Sequence, residues 1–529
     1  MSMIQAGAEK SSMVRAAGSV VESVADIALL LEGTYPYVRG GVSSWVHQII
    51  NGLPEFTFAV IFIGGQKEMY GPAQYQFPPN VTHVETHYLL HRSSLAKPHA
   101  RKGSRQPFKE MEELHAIMRQ PGKLAEGKMI DAFARLGAKG GISQEDFLYS
   151  EASWDYITRQ YKERCTEPSF VDYFWAIRAM HTPLFVLADI AAGLPPVQAV
   201  HAISTGYAGL LGAMIRLRRN IPFVLTEHGI YTKERKIDLA QATWIHDHND
   251  DVCNTLHDEM GYIRGLWIRF YEQLGRMAYA QASPIISLYE GNRLRQVVDG
   301  AAPEKTRIIT NGINVERYRG ALEKRPGKIP PVLGLVGRVV PIKDIKTFIR
   351  TLRMLVKERP DAQGWIVGPE DEDPSYVNEC KELAESLGLK DHLRFMGFQN
   401  MLEILPQLGL MVLTSISEAL PLVILEAFAS GVPCLATDVG SCRELIEGTA
   451  EQDRALGAAG SVVHIADPEG TAKAALELLN NPEKWGAAQQ AGLARVKRYY
   501  DDQLMFSSYR EVYSGALGRT SASGSSELM

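Results

Sequence analysis

Glu418 and Glu426 stand eight residues apart in one short stretch, SISEALPLVILEAFASG, running from Ser415 to Gly431. The apolar run Leu410–Thr414, behind the breaker Gly409, predicts a buried strand leading into it. Pro421 suits the first helical position and Gly431 the position just past the end. The helix between them is apolar nearly all round, so it should be buried. Glu426 lies about a turn and a half inside it, where a carboxylate is costly unless something polar meets it. Glu418 lies in the loop at the helix mouth, where free N–H groups and the helix dipole attract anions. Taken singly, Glu418 reads as a solvated loop acid and Glu426 as a paired core acid. Together in this frame they suit a ligand with an anionic centre and hydroxyl-rich ends. A nucleotide sugar is such a ligand.

A second chemical group opens the same half of the chain. Gly337-Arg338-Val339-Val340-Pro341-Ile342-Lys343-Asp344 follows the strand-like Val332–Val336 and carries two cations near one loop-to-helix turn. Arg338 offers a fixed charge with a donor fork and Lys343 a second positive charge. As a pair they could neutralise the charge that grows on a leaving diphosphate; the plainer reading is two solvated surface cations. Asp371-Glu372-Asp373 has the look of a metal-binding acidic triplet, but in a Pro-flanked turn it reads as solvated. Asp438–Ser441 follows another strand end and could shape the same pocket.

In the first half, Asp26–Leu31 predicts a buried strand running into a loop with Pro36, Gly40 and Gly41. The helical pattern that follows has Val42, Trp45, Val46, Ile49 and Ile50 on one face. Strand, glycine loop and helix again expose amides at a helix start, although close backbone packing would equally explain the glycines. His201 and His228 fall at or near the ends of the strands predicted at Val197–Ile203 and Pro222–Thr226, where open α/β sheets bind ligands. WIHDHNDD, around Asp247, has ligand-like residues but no second cluster to complete a metal site.

These groups need a scaffold, and the chain has the length for two domains: 529 residues exceed one ordinary core. With 45% hydrophobic and 22% charged residues the composition is that of a soluble globular protein. A net charge of −5 gives no reason to expect nucleic acid, and no stretch approaches the roughly 18 uninterrupted apolar residues of a membrane span. The five cysteines are odd in number and lack a CxxC motif, which argues for reduced thiols in a cytosol. Two successive strand–helix alternations imply an α/β protein of two doubly wound parallel sheets with a cleft between them.

The expected layout is a polar, flexible leader at 1–25, a first domain at 26–318 and a linker at 319–331. The second domain spans 332–498, followed by a C-terminal helix at 499–518 crossing back to the first domain and a disordered tail at 519–529. His91 to about Ser150 reads as an insertion on the first domain, with helices following at Tyr149–Glu163 and Phe170–Ala192. The second sheet should use Val332–Val336, Gly364–Val367, Leu393–Met396, Leu410–Thr414, Pro433–Ala436 and Ser461–His464.

Glu418, seven residues, then Glu426, together with the Gly40-Gly41 loop, the Gly337-Arg338…Lys343 loop and the Asn311-Gly312 turn, resembles the GT4 family of retaining glycosyltransferases over about residues 26–515. Within that family LLLEGTYPYVRGGVSSWV, HAISTGYAGLLG, TEHGIYTKER and ITNGINVERY are most similar to the cytosolic glycosyltransferases of the bacterial Pel exopolysaccharide pathway. The resemblance implies a GT-B fold of two Rossmann-like domains, a UDP-sugar donor held mainly by the second, retention at the anomeric carbon, and no metal or other cofactor. It assigns Arg338 and Lys343 to the diphosphate and Glu418, with Ala419 and Leu420 of its loop, to the donor sugar and loop amides. Glu426 is assigned to the ribose hydroxyls, Gly40 and Gly41 to close approach of the phosphate, and His228 to a place beside the transferring sugar. It further implies a polysaccharide acceptor, a cytoplasmic location and docking to inner-membrane components of the Pel synthase. A nucleotide-sugar-binding scaffold or regulator, and an epimerase or phosphorylase on the same fold, are the other readings of these residues.

Overall fold

The computed structural model describes residues 13–16, 19–90, 99–118, 136, 141–166, 169–242, 245 and 261–519. The chain divides into two compact units. One comprises the residues up to Ser287, Arg293–Arg307 and those from Arg510 onward. The other comprises Leu288–Asn292 and Ile308–Tyr509.

The first unit is built on a seven-stranded sheet. Its order is Val81–Tyr88, Phe58–Gly64, Ala25–Glu32, Val197–Ala202, Phe223–Glu227, Ile285–Ser287 and Thr306–Ile308. The registered pairs are parallel. Ala25–Leu31 and Phe58–Gly64 are buried along their length, because helices cover both faces of a parallel sheet and leave no side for polar residues. The chain visits three strands in one direction and then returns to the middle. The order therefore reverses between Ala25–Glu32 and Val197–Ala202, the point at which such sheets bind ligands.

The second unit repeats the plan with six parallel strands. Its order is Leu393–Gly397, Gln363–Val367, Val332–Val336, Leu410–Leu413, Cys434–Thr437 and Gly460–Val463. The reversal falls between Val332–Val336 and Leu410–Leu413, so the two loops singled out by their charges follow the two switch-point strands. Each expected strand lies within one or two residues of its place. The two Rossmann-like sheets of the sequence reading are thus both present.

Two features differ from expectation. Residues 319–331 are not all linker: Val315–Glu323 is a helix whose Asn314 cap accepts from the Arg317 amide at 2.9 Å. Its Tyr318 and Ala321 are buried, and Tyr318 joins the second unit's core. The charged residues and prolines of this stretch hid a one-sided apolar spacing. In the leader, Met13–Ala16 pairs antiparallel with Ser19–Glu22, consistent with the β-branched valines there; residues 1–12, 17 and 18 lie outside the described residues. At the C-terminus two helices follow one another, Pro482–Tyr499 and Asp502–Ala516, the second contributing residues to both units. Arg519 pairs with Asp26 at 2.5 Å, and the rest of the expected tail, 520–529, lies outside the described residues.

Within the expected insertion, helices Arg105–Met118 and Gln144–Tyr149 pack with the following helices Glu151–Arg164 and Phe170–Gly193 around Phe108, Phe147, Tyr156 and Phe185. Residues 91–98, 119–135 and 137–140 lie outside the described residues, as does most of the WIHDHNDD stretch.

Candidate functional site

In the second unit the chemistry gathers where three loops meet at the carboxyl edge of the sheet. The loop after Val332–Val336 tightens into a single 3₁₀ turn, Pro341–Lys343, and Asp344 then caps the helix Ile345–Glu358 by accepting from the Thr347 amide. Thr414, at the end of the fourth strand, donates its hydroxyl to the carbonyls of Lys343 at 2.9 Å and Asp344 at 3.0 Å. The Ile416 amide donates to the Ile342 carbonyl at 2.9 Å. A third loop closes on these two: the Ser441 amide donates to the Ala419 carbonyl at 2.9 Å. Gly440 sits at φ +56°, and a side chain there would stand 2.3 Å from the Glu418 carbonyl oxygen. Only glycine fits that approach.

This framework brings Lys343 and Glu418 together. The ammonium donates to Glu418 Oε1 at 2.5 Å, with the two side chains 19% and 12% exposed. Taking both charges partly out of water costs several kcal/mol per ion unless the pair and its surroundings compensate. Nearby polar groups are left over. The hydroxyls of Ser415 and Ser441 are buried and have no partner among the described residues. The amides of Ala419 and Leu420 meet no backbone acceptor among them. Ser441 ends the Asp438–Ser441 stretch expected near this pocket; Ser415 carried no such pointer, since a serine in a loop carries no signal of being buried.

Arg338 is placed differently. Its guanidinium lies 2.6 Å from both oxygens of Glu372, on the exposed rim. The Asp371–Asp373 turn is therefore not simply solvated. Glu372 holds Arg338, and Asp373 caps the helix Pro374–Ser386 by accepting from the Tyr376 amide at 3.0 Å. Among the described residues no group of three or more His, Cys, Asp or Glu side chains is placed to hold a metal ion.

Glu426 sits in the helix Leu422–Ala429, which starts one residue later than expected because Pro421 occupies the cap. Its polar partner is the Tyr318 hydroxyl. Burial raises the Glu426 carboxyl above its usual range, while Tyr318 and the charge of Arg317 pull the other way. Tyr318 is itself pushed up by burial and by Glu426. Sequence offered no pointer to this partner, 108 residues earlier in the numbering.

The first unit holds the other expected residues. Gly40 precedes the helix Gly41–Gly52, and a side chain at either glycine would meet nothing within 4 Å among the described residues. Close packing therefore does not explain them. His228 stands against the edge of Trp45, ring centres 4.6 Å apart. Both of its ring nitrogens are buried without a hydrogen-bond partner among the described residues. His201, by contrast, is fully satisfied: its Nδ1 meets the Tyr513 hydroxyl and its Nε2 the Thr226 hydroxyl, both at 2.8 Å.

Two carboxylates at the same strand ends went unnoticed in the sequence. Glu32 accepts from the Tyr231 hydroxyl at 2.9 Å and from the Ala208 amide, at the start of the helix Tyr207–Arg219. Glu227 is 1% exposed and accepts from Thr205, Tyr279 and Gln296. Burial raises both acids. Each is a strand-end glutamate whose partners come from remote helices, so spacing alone could not reveal it.

Burial pushes His201 and His228 down to about 3, His201 also through repulsion from His228. Both are therefore neutral at pH 7. Between pH 6.5 and about 3 the unfolded chain binds protons on these rings that the fold refuses, so stability drops as pH falls. The limiting slope is about 1.4 kcal/mol per histidine per pH unit. Glu32 and Glu227 act in the opposite sense above their usual range, so the histidine contribution is read as a difference. Thermal melts from pH 7 to pH 5 should show a shallower loss for His228→Gln than for the wild type. Equal slopes would refute buried, neutral His228.

Comparison with known proteins matches residues 25–304 to a family described as a domain of unknown function, DUF3492. Residues 320–493 match the glycosyl transferases group 1 family. Among similar curated proteins is the D-inositol 3-phosphate glycosyltransferase of Thermobispora bispora, 26% identical over 59% of this chain and 69% of that protein. The lipopolysaccharide core biosynthesis mannosyltransferase LpsB of Rhizobium meliloti is 30% identical over 36% of this chain and 56% of its own length. Among solved structures, Anabaena HepE in complex with UDP superposes with a TM-score of 0.55 at 15% identity, covering 93% of this chain and all of that one. Sucrose-phosphate synthase from Thermosynechococcus elongatus gives 0.55 at 17% identity, covering 93% and 99%. At such identities the structures speak for the fold, which is GT-B. The chain belongs to the DUF3492 family, with its second part similar to the glycosyl transferases group 1 family, and is a transferase.

Proposed function

We propose that the protein is a retaining, metal-independent glycosyltransferase that moves a hexosyl unit from a UDP-sugar to a growing exopolysaccharide of the Pel type. The observation that carries the reading is the Lys343–Glu418 pair at the switch point of the second sheet. A diphosphate would compete with Glu418 for Lys343, and the released carboxylate would then take donor-sugar hydroxyls. Arg338 would exchange an exposed and therefore weak pair with Glu372 for phosphate. Ser415, Ser441 and the amides of Ala419 and Leu420 supply further donors. Glu426, oriented by Tyr318, would receive the ribose hydroxyls. Gly40 and Gly41 leave the start of their helix open to phosphate. Neutral His228 would position the transferring sugar; it takes no proton at neutral pH. The HepE structures with UDP-glucose and with UDP and glucose lend this donor class support by analogy of fold.

Among the described residues no helix is long and apolar enough to cross a membrane. In this reading the chain works in the cytoplasm and reaches the polymer by docking to inner-membrane Pel synthase components. The deciding experiment incubates the protein with UDP-glucose, UDP-GlcNAc and UDP-GalNAc and follows UDP release and anomeric configuration. Release from one of them with retention is the expected result. Tight UDP binding without release from any, acceptor present, would replace the enzyme with a scaffold or regulator.

With Lys343, Arg338 and helix amides countering the diphosphate, turnover should persist unchanged in EDTA. Loss of turnover restored by Mg²⁺ or Mn²⁺ would move a metal to the Asp371–Asp373 turn.

A further inference from the structure

Away from the strand ends, the helical layer of the first unit encloses a cavity of about 470 Å³. Folded interiors are packed to crystal-like density, and this volume falls within the range of small-molecule pockets, about 300–1,000 Å³. Its wall comes from the helices Arg105–Met118, Glu151–Arg164, Phe170–Gly193 and Tyr262–Gln281 and is mostly apolar, with Met111, Ile157, Ile177, Met180, Phe185 and Leu274 among the lining residues.

Polar side chains also line it, Tyr156, Gln160, Tyr173 and Tyr262 among them. Gln273 lines the cavity at 7% exposure, and its side-chain oxygen has no donor among the described residues. His181 is buried, hydrogen-bonded to the Ile177 carbonyl at 2.7 Å and close to His115 at 3.2 Å. Burial lowers its affinity for protons. The charged lining residues are Arg164, Arg269 and Glu110. Both arginines are exposed, and among the described residues no carboxylate lies within ion-pair distance of either.

We propose that this cavity binds a single-chain anionic amphiphile: hydrocarbon tail inside, a hydrogen-bond donor on Gln273, and the charged head on Arg164 and Arg269. An apolar enclosure favours the tail by removing it from water. A buried acceptor left unmet penalises any ligand that brings no N–H or O–H. The exposed arginines set the sign of the head.

N-dodecanoylglycine carries all three features and serves as the probe, titrated by calorimetry below its micelle concentration. One molecule per chain is expected to bind. Dodecanoate, lacking the N–H, should bind up to about tenfold more weakly, and N-acetylglycine, lacking the tail, not at all. Ile177→Trp and Met180→Trp, which fill the cavity from two sides, should each abolish binding in protein whose melting confirms the fold. Arg164→Ala with Arg269→Ala should weaken it about tenfold, as for two exposed charge pairs. Gln273→Leu should erase the difference between N-dodecanoylglycine and dodecanoate. Sedimentation with vesicles doped with the amphiphile, set against undoped phosphatidylcholine vesicles, distinguishes the source. Pelleting that the filling variants lose assigns a membrane-resident ligand; monomer binding alone assigns a free one. Absence of saturable binding, or binding that survives both tryptophan substitutions, overturns the proposal.

Discussion

Lys343→Ala should lower kcat/KM by about 10²–10³-fold, the usual consequence of removing one group aimed at developing charge. The variant loses its cation twice over. The diphosphate loses its counter-charge, and Glu418, 12% exposed, is left in the loop with no ammonium beside it. A carboxylate so stranded repels the phosphate that should replace it. UDP affinity should therefore fall while uridine affinity stays the same, because uridine carries no phosphate. Lys343→Ala with Glu418→Gln should recover part of the UDP affinity lost in the single variant, the signature of two coupled residues. Unchanged UDP binding by Lys343→Ala would remove the pair from the donor site altogether.

Glu426→Gln should weaken UDP binding by about 1.5–3 kcal/mol, the range for a hydrogen bond to a charged group. Glutamine keeps the volume, so the apolar helix stays filled; alanine would add a void and confuse the reading. Here uridine should lose as much as UDP, since the ribose hydroxyls are common to both. That contrast with Lys343 separates the two roles in one set of calorimetric titrations. Tyr318→Phe, which takes away the hydroxyl that Glu426 accepts from, should shift affinity in the same direction. If Glu426→Gln binds UDP and uridine as the wild type does, the glutamate is a buried structural acid and no more.

The central strands of both sheets were legible because each is a short apolar run between breakers, and burial on both faces imposes that pattern on the sequence. The switch-point loops were legible because glycine, proline and charge recur at strand ends. Partners were not. Tyr318 reaches Glu426, and Tyr231 reaches Glu32 across 199 positions, through packing that no local period encodes. Arg338 and Lys343 looked equivalent in sequence, yet one meets Glu372 on the rim and the other meets Glu418 in the pocket. Four residues separate them, and Lys343 ends the 3₁₀ turn Pro341–Lys343, which sends neighbouring side chains in different directions. The stretch 319–331 misled for the opposite reason. Its charges and prolines are real, but Tyr318 and Ala321 anchor the helix that runs into it.

The hydrogen bond between His201 and Tyr513 joins residues 312 positions apart. Tyr513 also packs its ring near Phe56 and Phe58, and Arg510 pairs with Glu55 at 2.5 Å. These contacts finish the first unit with residues that leave the ribosome only after the whole of the second unit has been made. During synthesis the strand that carries His201 must wait, with one buried ring nitrogen unmet, for its partner to be translated. Native contacts of such long sequence separation form late, because the intervening chain must first be ordered. The first unit is thus begun first and completed last, and a nascent chain halted before Tyr513 carries a finished second sheet and a first unit still lacking its closing helix.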